Sequence, residues 1–445
     1  MTDDKRLAAW LADNQISEVE AVVPDMAGVA RGKFMPASKF AEQGGMRLPA
    51  SVFIQTVTGD YGEERVIGPL DEDLEVKPDL DTLRKVPWAT EPTACVIHDC
   101  FYRDGRPVDV SPRQLLRNVL ALYEARGLRP EVAPEVEFYL VKRNTDPDDP
   151  LEPPIGRSGR QESVRQPFSM DAIDEFEPLI EDIYDYCEAQ NLMVDNLAHE
   201  AGTAQLEINF DHGDTLALAD QVFLFKRTVR ETAMRHNVYA TFMAKPMAGE
   251  PGSSMHWHVS LIDESSGSNT FATDGAEKPE FLSFIAGLQT FLPEFLVMFA
   301  PYVNSFRRFT RYQSAPINLQ WGYDNRTVGL RVPTADPENR RIESRVAGAD
   351  ANPYLAIAAS LAAGYLGMER GLEPSAVETG NAYRKPKRLP RNLDQAIDRF
   401  SRSKAAREVF GDDFVHVFAA IKRVEYARYF EVISPWEREH LLLSV

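Results

Sequence analysis

The stretch APEVEFYLV, residues 133–141, decides how this chain is read. As a strand it sets Val136, Phe138 and Leu140 on one face, the apolar back of a buried sheet. Glu135 and Glu137 then share the other face, with Cβ atoms roughly 7 Å apart. Two carboxylates in so apolar a run need partners of opposite charge.

Three further segments repeat the pattern. AQLEINF (204–210) sets Gln205, Glu207 and Asn209 against Leu206, Ile208 and Phe210, and Glu200 precedes it in HEAGT. MHWHVSL (255–261) groups His256, His258 and Ser260 opposite Trp257 and Val259, and RRIESRV (340–346) groups Arg341, Glu343 and Arg345 opposite Ile342 and Val346. One such E-x-E or H-x-H alone is an ordinary solvated edge or a structural feature; the concurrence of four in one chain is not. If the strands share a sheet, their polar fronts line one cavity holding five carboxylates, two imidazoles and several guanidiniums.

Unpaired, those carboxylates would repel one another and some would protonate. Divalent cations remove that cost, and carboxylates with an occasional imidazole suit Mg²⁺ or Mn²⁺ better than zinc. Arginines in the same cavity imply an anionic substrate, because their forked donors match phosphate or carboxylate. Acids, hard cations and arginines together are the equipment of phosphoryl transfer.

Composition narrows the class. A chain of 445 residues, 44% apolar and 26% charged, exceeds a single core and predicts two domains, 1–105 and 106–445. The formal charge of −19 and the absence of basic runs speak against nucleic acid and anionic membranes as partners. Cys95, Cys100 and Cys187 fit reduced thiols and a cytoplasmic location. The start, MTDDKRLAAWLADNQ, reads as an amphipathic helix rather than a leader, and YLAIAASLAAGYLGM (354–368) is too short to span a bilayer and reads as a buried helix.

The first hundred residues are strand-like. From Ser111 onward, helical segments at 111–126, 171–190, 217–236, 279–299, 351–370, 393–409 and 411–430 alternate with strands, an α+β pattern. The Pro-rich, charged stretch 144–167 reads as a long surface loop. No internal repeat and no phosphate-cradling G-x-x-x-x-G-K loop is found.

PEVEF, HEAGTAQLEINF, GSSMHWHVSL, NSFRRF, NRTVGLRVP and RRIESRVAGADANPYL, in this order, resemble the glutamine synthetase family; DMAGVARGK and SPWEREHLLLSV fit as well. The resemblance implies an N-terminal β-grasp domain, a catalytic domain with a curved antiparallel sheet forming a funnel backed by helices, and a homo-oligomer, a dodecamer of two stacked hexameric rings. It assigns one metal to Glu137, Glu200 and Glu207 and a second to Glu135, His256 and Glu343, so that two or more Mg²⁺ or Mn²⁺ ions serve each site. Arg308 and Arg345 match residues that hold glutamate, with Gly252 in the loop at its amino acid end. Arg326, Arg331 and Arg341 match residues that bind ATP phosphates, with His258 and Ser260 near the nucleotide. Arg326, Arg308 and Arg345 are the catalytic candidates. The implied reaction transfers the γ-phosphate of ATP to the side-chain carboxylate of glutamate, and an amine then attacks.

The departures concern the amine. Acids that gather ammonium in the family are replaced here by Ser314 in RYQSAPINL and by RLPASVF (47–53), and Pro251 replaces an asparagine beside the glutamate loop. A smaller side chain at 314 leaves room for an alkyl group, so the expected acceptor is a larger primary amine, a polyamine such as putrescine, with roles in polyamine catabolism and nitrogen metabolism; the alternatives are a glutamine synthetase using ammonium, a ligase acting on a monoamine or ethanolamine, and a non-catalytic structural relative. Asp60, Glu63 and Glu64 are the candidates for deprotonating it. Tyr383, where some relatives carry a modifiable tyrosine, reads as an ordinary loop residue.

Overall fold

The computed structural model describes residues 3–62, 70–273, 275–310 and 315–445. Ser314, Glu63 and Glu64 lie outside the described residues.

Strands β1 (Glu18–Pro24) and β2 (Ala30–Pro36) form an antiparallel hairpin. Its turn is built by Asp25, whose carboxylate accepts from the N–H groups of Ala27 and Val29 and from Arg31 Nε, with Gly28 at φ +77° where a side chain is disfavoured. With β3 (Met46–Pro49), β4 (Asp73–Pro78), β5 (Arg84–Lys85) and β6 (Thr93–Phe101), this hairpin makes a mixed six-stranded sheet. Its order is β2-β1-β6-β4-β3, and β1 runs parallel to β6, the arrangement expected of a β-grasp unit.

The second sheet has nine strands among the described residues: β7 (Leu128–Lys142), β8 (Val194–His199), β9 (Gln205–Phe210), β10 (Gly213–Asp214), β11 (Val238–Thr241), β12 (Met255–Asp263), β13 (Trp321–Tyr323), β14 (Leu330–Val332) and β15 (Ile342–Ser344). Its order is β13-β14-β15-β12-β7-β9-β8, with β10 and β11 also on β7. The four polar-faced segments are therefore adjacent. The sheet is mixed rather than wholly antiparallel, because β13 and β14 run parallel. The strands are so short that the turn after Tyr323, begun by Asp324 at φ +48° and pinned by the Asn325 amide, can carry the chain back.

The backs of these strands form the core. Val136, Phe138, Leu206, Ile208, Trp257 and Ile342 are fully buried, and the ring of Phe225 on the helix Thr215–Arg235 meets Phe138 and Phe210 at 6.3 and 5.2 Å. The helix Pro279–Phe299 is long and apolar enough to cross a membrane, but two thirds of its most apolar window is buried. It packs on the helix Pro353–Glu369 through Gly287, Gly364 and Gly367; a Cβ on Gly287 would come 2.1 Å from the carbonyl of Ala363.

Two expected helices are each divided. The segment 171–190 splits into Met170–Asp174 and Glu177–Ala189, the second restarting with a proline in its first turn. The segment 393–409 splits at Ser403, whose hydroxyl caps the new helix Lys404–Phe410 by accepting from the N–H of Ala406. A buried guanidinium ties the sheets together: Arg113 donates to Asp79 and Asp99 from the first and to Asp220 beneath the second.

Candidate active site

Cross-strand register makes the site. His256 pairs directly with Glu135, Glu137 with Glu207, and both His258 and Arg331 with Glu343. Alternation then turns every one of these side chains to the same face.

The imidazoles sit among the acids. His256 Nδ1 lies 3.2 Å from Glu135 and 3.6 Å from Glu343. His258 accepts from Arg341 Nε at 3.2 Å through Nδ1, which places its proton on Nε2, 2.8 Å from Glu135. Two sets of ligand atoms each lie within 4.8 Å of one another: Glu135, Glu207 and His256, and Glu135, His258 and Glu343. Glu135 is common to both, and His258, expected near the nucleotide, also faces the acids.

Electrostatics divides the carboxylates into two groups. Burial and the charge of Glu200 push Glu137 up to about 8, although the Ser254 N–H donates to it at 2.8 Å. Burial and the surrounding acids likewise raise Glu207, and burial raises Glu200. Burial also works against ionised Glu135 and Glu343, but there the histidines and Arg345 win and both stay below the usual range, Glu343 at about 2. One side of the cavity thus carries acids short of positive charge, and the other carries acids already paired.

The arginines occupy different levels. Glu343 is gripped by Arg345 at one oxygen and by Arg331 Nη1 at the other, 2.9 Å away; Arg331 also reaches Asp324 at 2.5 Å. Arg326 is exposed, near enough to Glu200 to favour its charged form. Arg308 is 1% exposed and donates to the carbonyls of Val346 and Arg345 and to Ser254 Oγ, so it braces the wall beneath Arg345 rather than standing in the cavity. Gly252 lies against it: a Cβ there would come 2.5 Å from Arg308 Cγ and 2.6 Å from the Ala244 carbonyl. Arg341, His258 and Ser260 line a cavity of about 460 Å³ together with Glu131, Asn269 and Asp336.

Comparison with known proteins decides the family. The family described as glutamine synthetase, catalytic domain, matches residues 109–441. The chain belongs to the glutamine synthetase family. The γ-glutamylputrescine synthetase PuuA of Escherichia coli (strain K12) is 35% identical over 95% of this chain and 91% of its own length. A glutamine synthetase of Pyrococcus abyssi (strain GE5 / Orsay) is 34% identical over 95% and 92%, and a glutamate–isopropylamine ligase of a Pseudomonas species is 34% identical over 96% and 95%. The solved structure titled "Apo GmaS without ligand" superposes with a TM-score of 0.85 at 28% identity, covering 100% of both chains. This member of the glutamine synthetase family is thus an ATP-dependent γ-glutamyl ligase, a carbon–nitrogen ligase.

Glutamine synthetase-family enzymes use ATP and divalent metals, and the residues present fit such ions. The buried Nε2 of His256 has no hydrogen-bond partner among the described residues, and a cation would relieve the repulsion that raises Glu137, Glu200 and Glu207.

Other residues of this glutamine synthetase-family chain support the site, and of these Glu162 did not stand out in the sequence. Glu162, in the loop 144–167, accepts from the Ala204 N–H at 2.6 Å and lies 3.1 Å from His199 Nε2, which holds the turn between Glu200 and Gln205 where Ala204 adopts φ +54°. Gln205 donates to Glu137 at 3.1 Å. A lone glutamate in a Pro-rich charged loop gave no periodic signal. Asp60 accepts from two Arg428 nitrogens at 2.9 Å, which holds its carboxyl low. Tyr383 is buried.

Proposed function

We propose that this ligase joins glutamate to a larger primary amine, with a polyamine such as putrescine as acceptor. The observation that carries the reading is the loss of the family's ammonium-gathering acids, with Ser314 and RLPASVF in their places, beside a full set of six candidate metal ligands. The resemblance to an E. coli γ-glutamylputrescine synthetase over 95% of the chain supports it, as does the formal charge of −19.

In this reading Glu137, Glu200 and Glu207 hold one Mg²⁺ or Mn²⁺ and Glu135, His256 and Glu343 another; the ions supply positive charge for the transferring phosphoryl group. Arg326, Arg331 and Arg341 bind the ATP phosphates, and His258 and Ser260 lie along the nucleotide. Arg345 and Arg308 serve the glutamate carboxylates, Arg308 by holding the backbone segment after β15 that carries Arg345, and Gly252 lets the backbone come close. Phosphorylation turns the side-chain carboxylate oxygen into a leaving group, which a bare carboxylate lacks. The amine then attacks the acyl carbon and phosphate departs.

The wider reading has residues 1–105 as an N-terminal domain, residues 106–445 as the catalytic domain, a cytoplasmic enzyme and a dodecameric ring assembly. The three buried free cysteines support a reducing compartment. Exposed apolar side chains near the C-terminus, Phe430, Val432, Trp436 and Leu443, support self-association.

A phosphate-release assay with ATP, Mg²⁺ and glutamate, comparing ammonium with putrescine, spermidine, ethanolamine and monoamines, tests the acceptor. Turnover with a polyamine at least tenfold above ammonium is expected. Strong turnover with ammonium alone would make the chain a glutamine synthetase.

A further inference from the structure

The turn that carries Glu200 and the loop that carries Gly252 are joined at three successive residues. The Thr203 N–H donates to the Glu250 carboxylate at 3.2 Å, Tyr139 Oη donates to the carbonyl of Pro251 at 2.8 Å, and Gln205 Nε2 donates to the carbonyl of Gly252 at 3.1 Å. Glu250, Pro251 and Gly252 are thus each held from the side of the acids. Gly202 lets the two segments close: a Cβ there would come 1.9 Å from Tyr139 Oη and 2.7 Å from Gln205 Oε1.

Gln205 differs from the other two ties because it also holds an acid. It opens β9, is 1% exposed, and uses both ends of its carboxamide. Oε1 accepts from the Gly202 N–H at 2.9 Å, and Nε2 donates to Glu137 Oε2 at 3.1 Å as well as to the Gly252 carbonyl, with Ser253 Oγ at 3.5 Å. The neighbours fix which end is which: a backbone N–H must meet the oxygen, and a backbone carbonyl must meet the nitrogen. Glu137 Oε2 accepts from the Ser254 N–H too, at 2.8 Å, so the same carboxylate oxygen meets Gln205 and the strand entry just after Gly252.

We infer that Gln205 is a positioning residue that couples cation binding at Glu137 to glutamate binding at the Gly252 loop. The inference rests on the functional reading given above, in which Glu137 holds a cation and Gly252 lies against glutamate. A cation that fixes the Glu137 carboxylate fixes the carboxamide bound to it, and the carboxamide fixes the Gly252 carbonyl and its peptide. The same links run in reverse, so each ligand tightens the other by one shared factor. Tyr139 holds the neighbouring carbonyl, of Pro251, through a hydroxyl that bonds to none of the six acids and histidines assigned to cations. It therefore sets glutamate affinity without setting that factor.

Isothermal titration of the full-length protein with Mn²⁺ and L-glutamate, without ATP or amine, measures the factor directly. In the wild type, saturating Mn²⁺ is expected to tighten glutamate binding at least tenfold, and saturating glutamate to tighten Mn²⁺ binding equally. Gln205→Met keeps the bulk and loses the donors; Gln205→Asn keeps the carboxamide on a stem one methylene too short to reach both acceptors. In each the factor is expected to fall at least threefold, whereas Tyr139→Phe weakens glutamate binding alike with and without Mn²⁺. A residue that only supported the fold would weaken both ligands and leave the factor unchanged. Failure of Mn²⁺ or glutamate to bind the wild type at all would overturn the functional reading together with the inference. Binding of both with no coupling in the wild type, or the wild-type factor in folded Gln205→Met or Gln205→Asn, would overturn the inference alone.

Discussion

Glu137 and Glu207 stand directly opposite each other on β7 and β9, two carboxylates in a position where like charges destabilise a sheet. Burial and neighbouring acids raise both. Glu207→Gln is expected to stabilise the cation-free protein by about 1 kcal/mol while abolishing phosphoryl transfer. Thermal melts in a chelator, beside the phosphate-release assay, check the two effects; a mutant both less stable and active would contradict the placement.

Arg345 grips Glu343 and is 6% exposed. Arg345→Lys keeps the charge but loses the forked donors, so kcat/KM for glutamate is expected to drop roughly 100-fold, about 3 kcal/mol of transition-state stabilisation, with the fold retained. Steady-state kinetics alongside circular dichroism would show this. Wild-type kinetics would remove Arg345 from the glutamate site.

The contact of Gly252 with Arg308 leaves no space for a methyl group, since it would lie 2.5 Å from Arg308 Cγ and 2.6 Å from the backbone oxygen of Ala244. Gly252→Ala should displace the loop and raise the glutamate KM by roughly tenfold, about 1.4 kcal/mol of binding, more than it changes the ATP KM. An equal change in both would point to general unfolding of the wall.

His98 supplies a pH test remote from the site. It is 1% exposed, its Nδ1 lies 3.0 Å from the Val96 carbonyl, and burial lowers it to about 4. A base with a depressed folded value is fully compatible with folding above its unfolded value near 6.5. Between pH 6.5 and 4 the unfolded chain binds a proton that the folded chain refuses, and stability falls by about 3 kcal/mol. Denaturant titrations at pH 7 and pH 4 should show a smaller loss in His98→Leu than in the wild type; equal losses would contradict the role.

Much of this was legible in the sequence. Period-two alternation in 133–141, 204–210, 255–261 and 340–346 fixed which side chains share a face, because alternation is a local property of a strand. Register was not legible: nothing in the sequence sets His256 opposite Glu135 rather than Ala133, a choice made by packing across the sheet. The same holds for His258, whose contact with Glu135 depends on register and on the nearby Arg341. The parallel pairing of β13 with β14 and the breaks near Phe176 and Ser403 arise from single turns and caps that periodicity over longer windows averages away. Glu162 was invisible because its partners His199 and Ala204 come from a distant strand end.

The claim beneath all of these is that four adjacent strands gather acids to hold paired divalent cations. Anomalous diffraction from crystals grown with Mn²⁺ tests it most directly. Two peaks are expected, one within about 2.5 Å of Glu137, Glu200 and Glu207 and the other as close to Glu135, His256 and Glu343. Crystals saturated with Mn²⁺ that show no peak among these six side chains would contradict it.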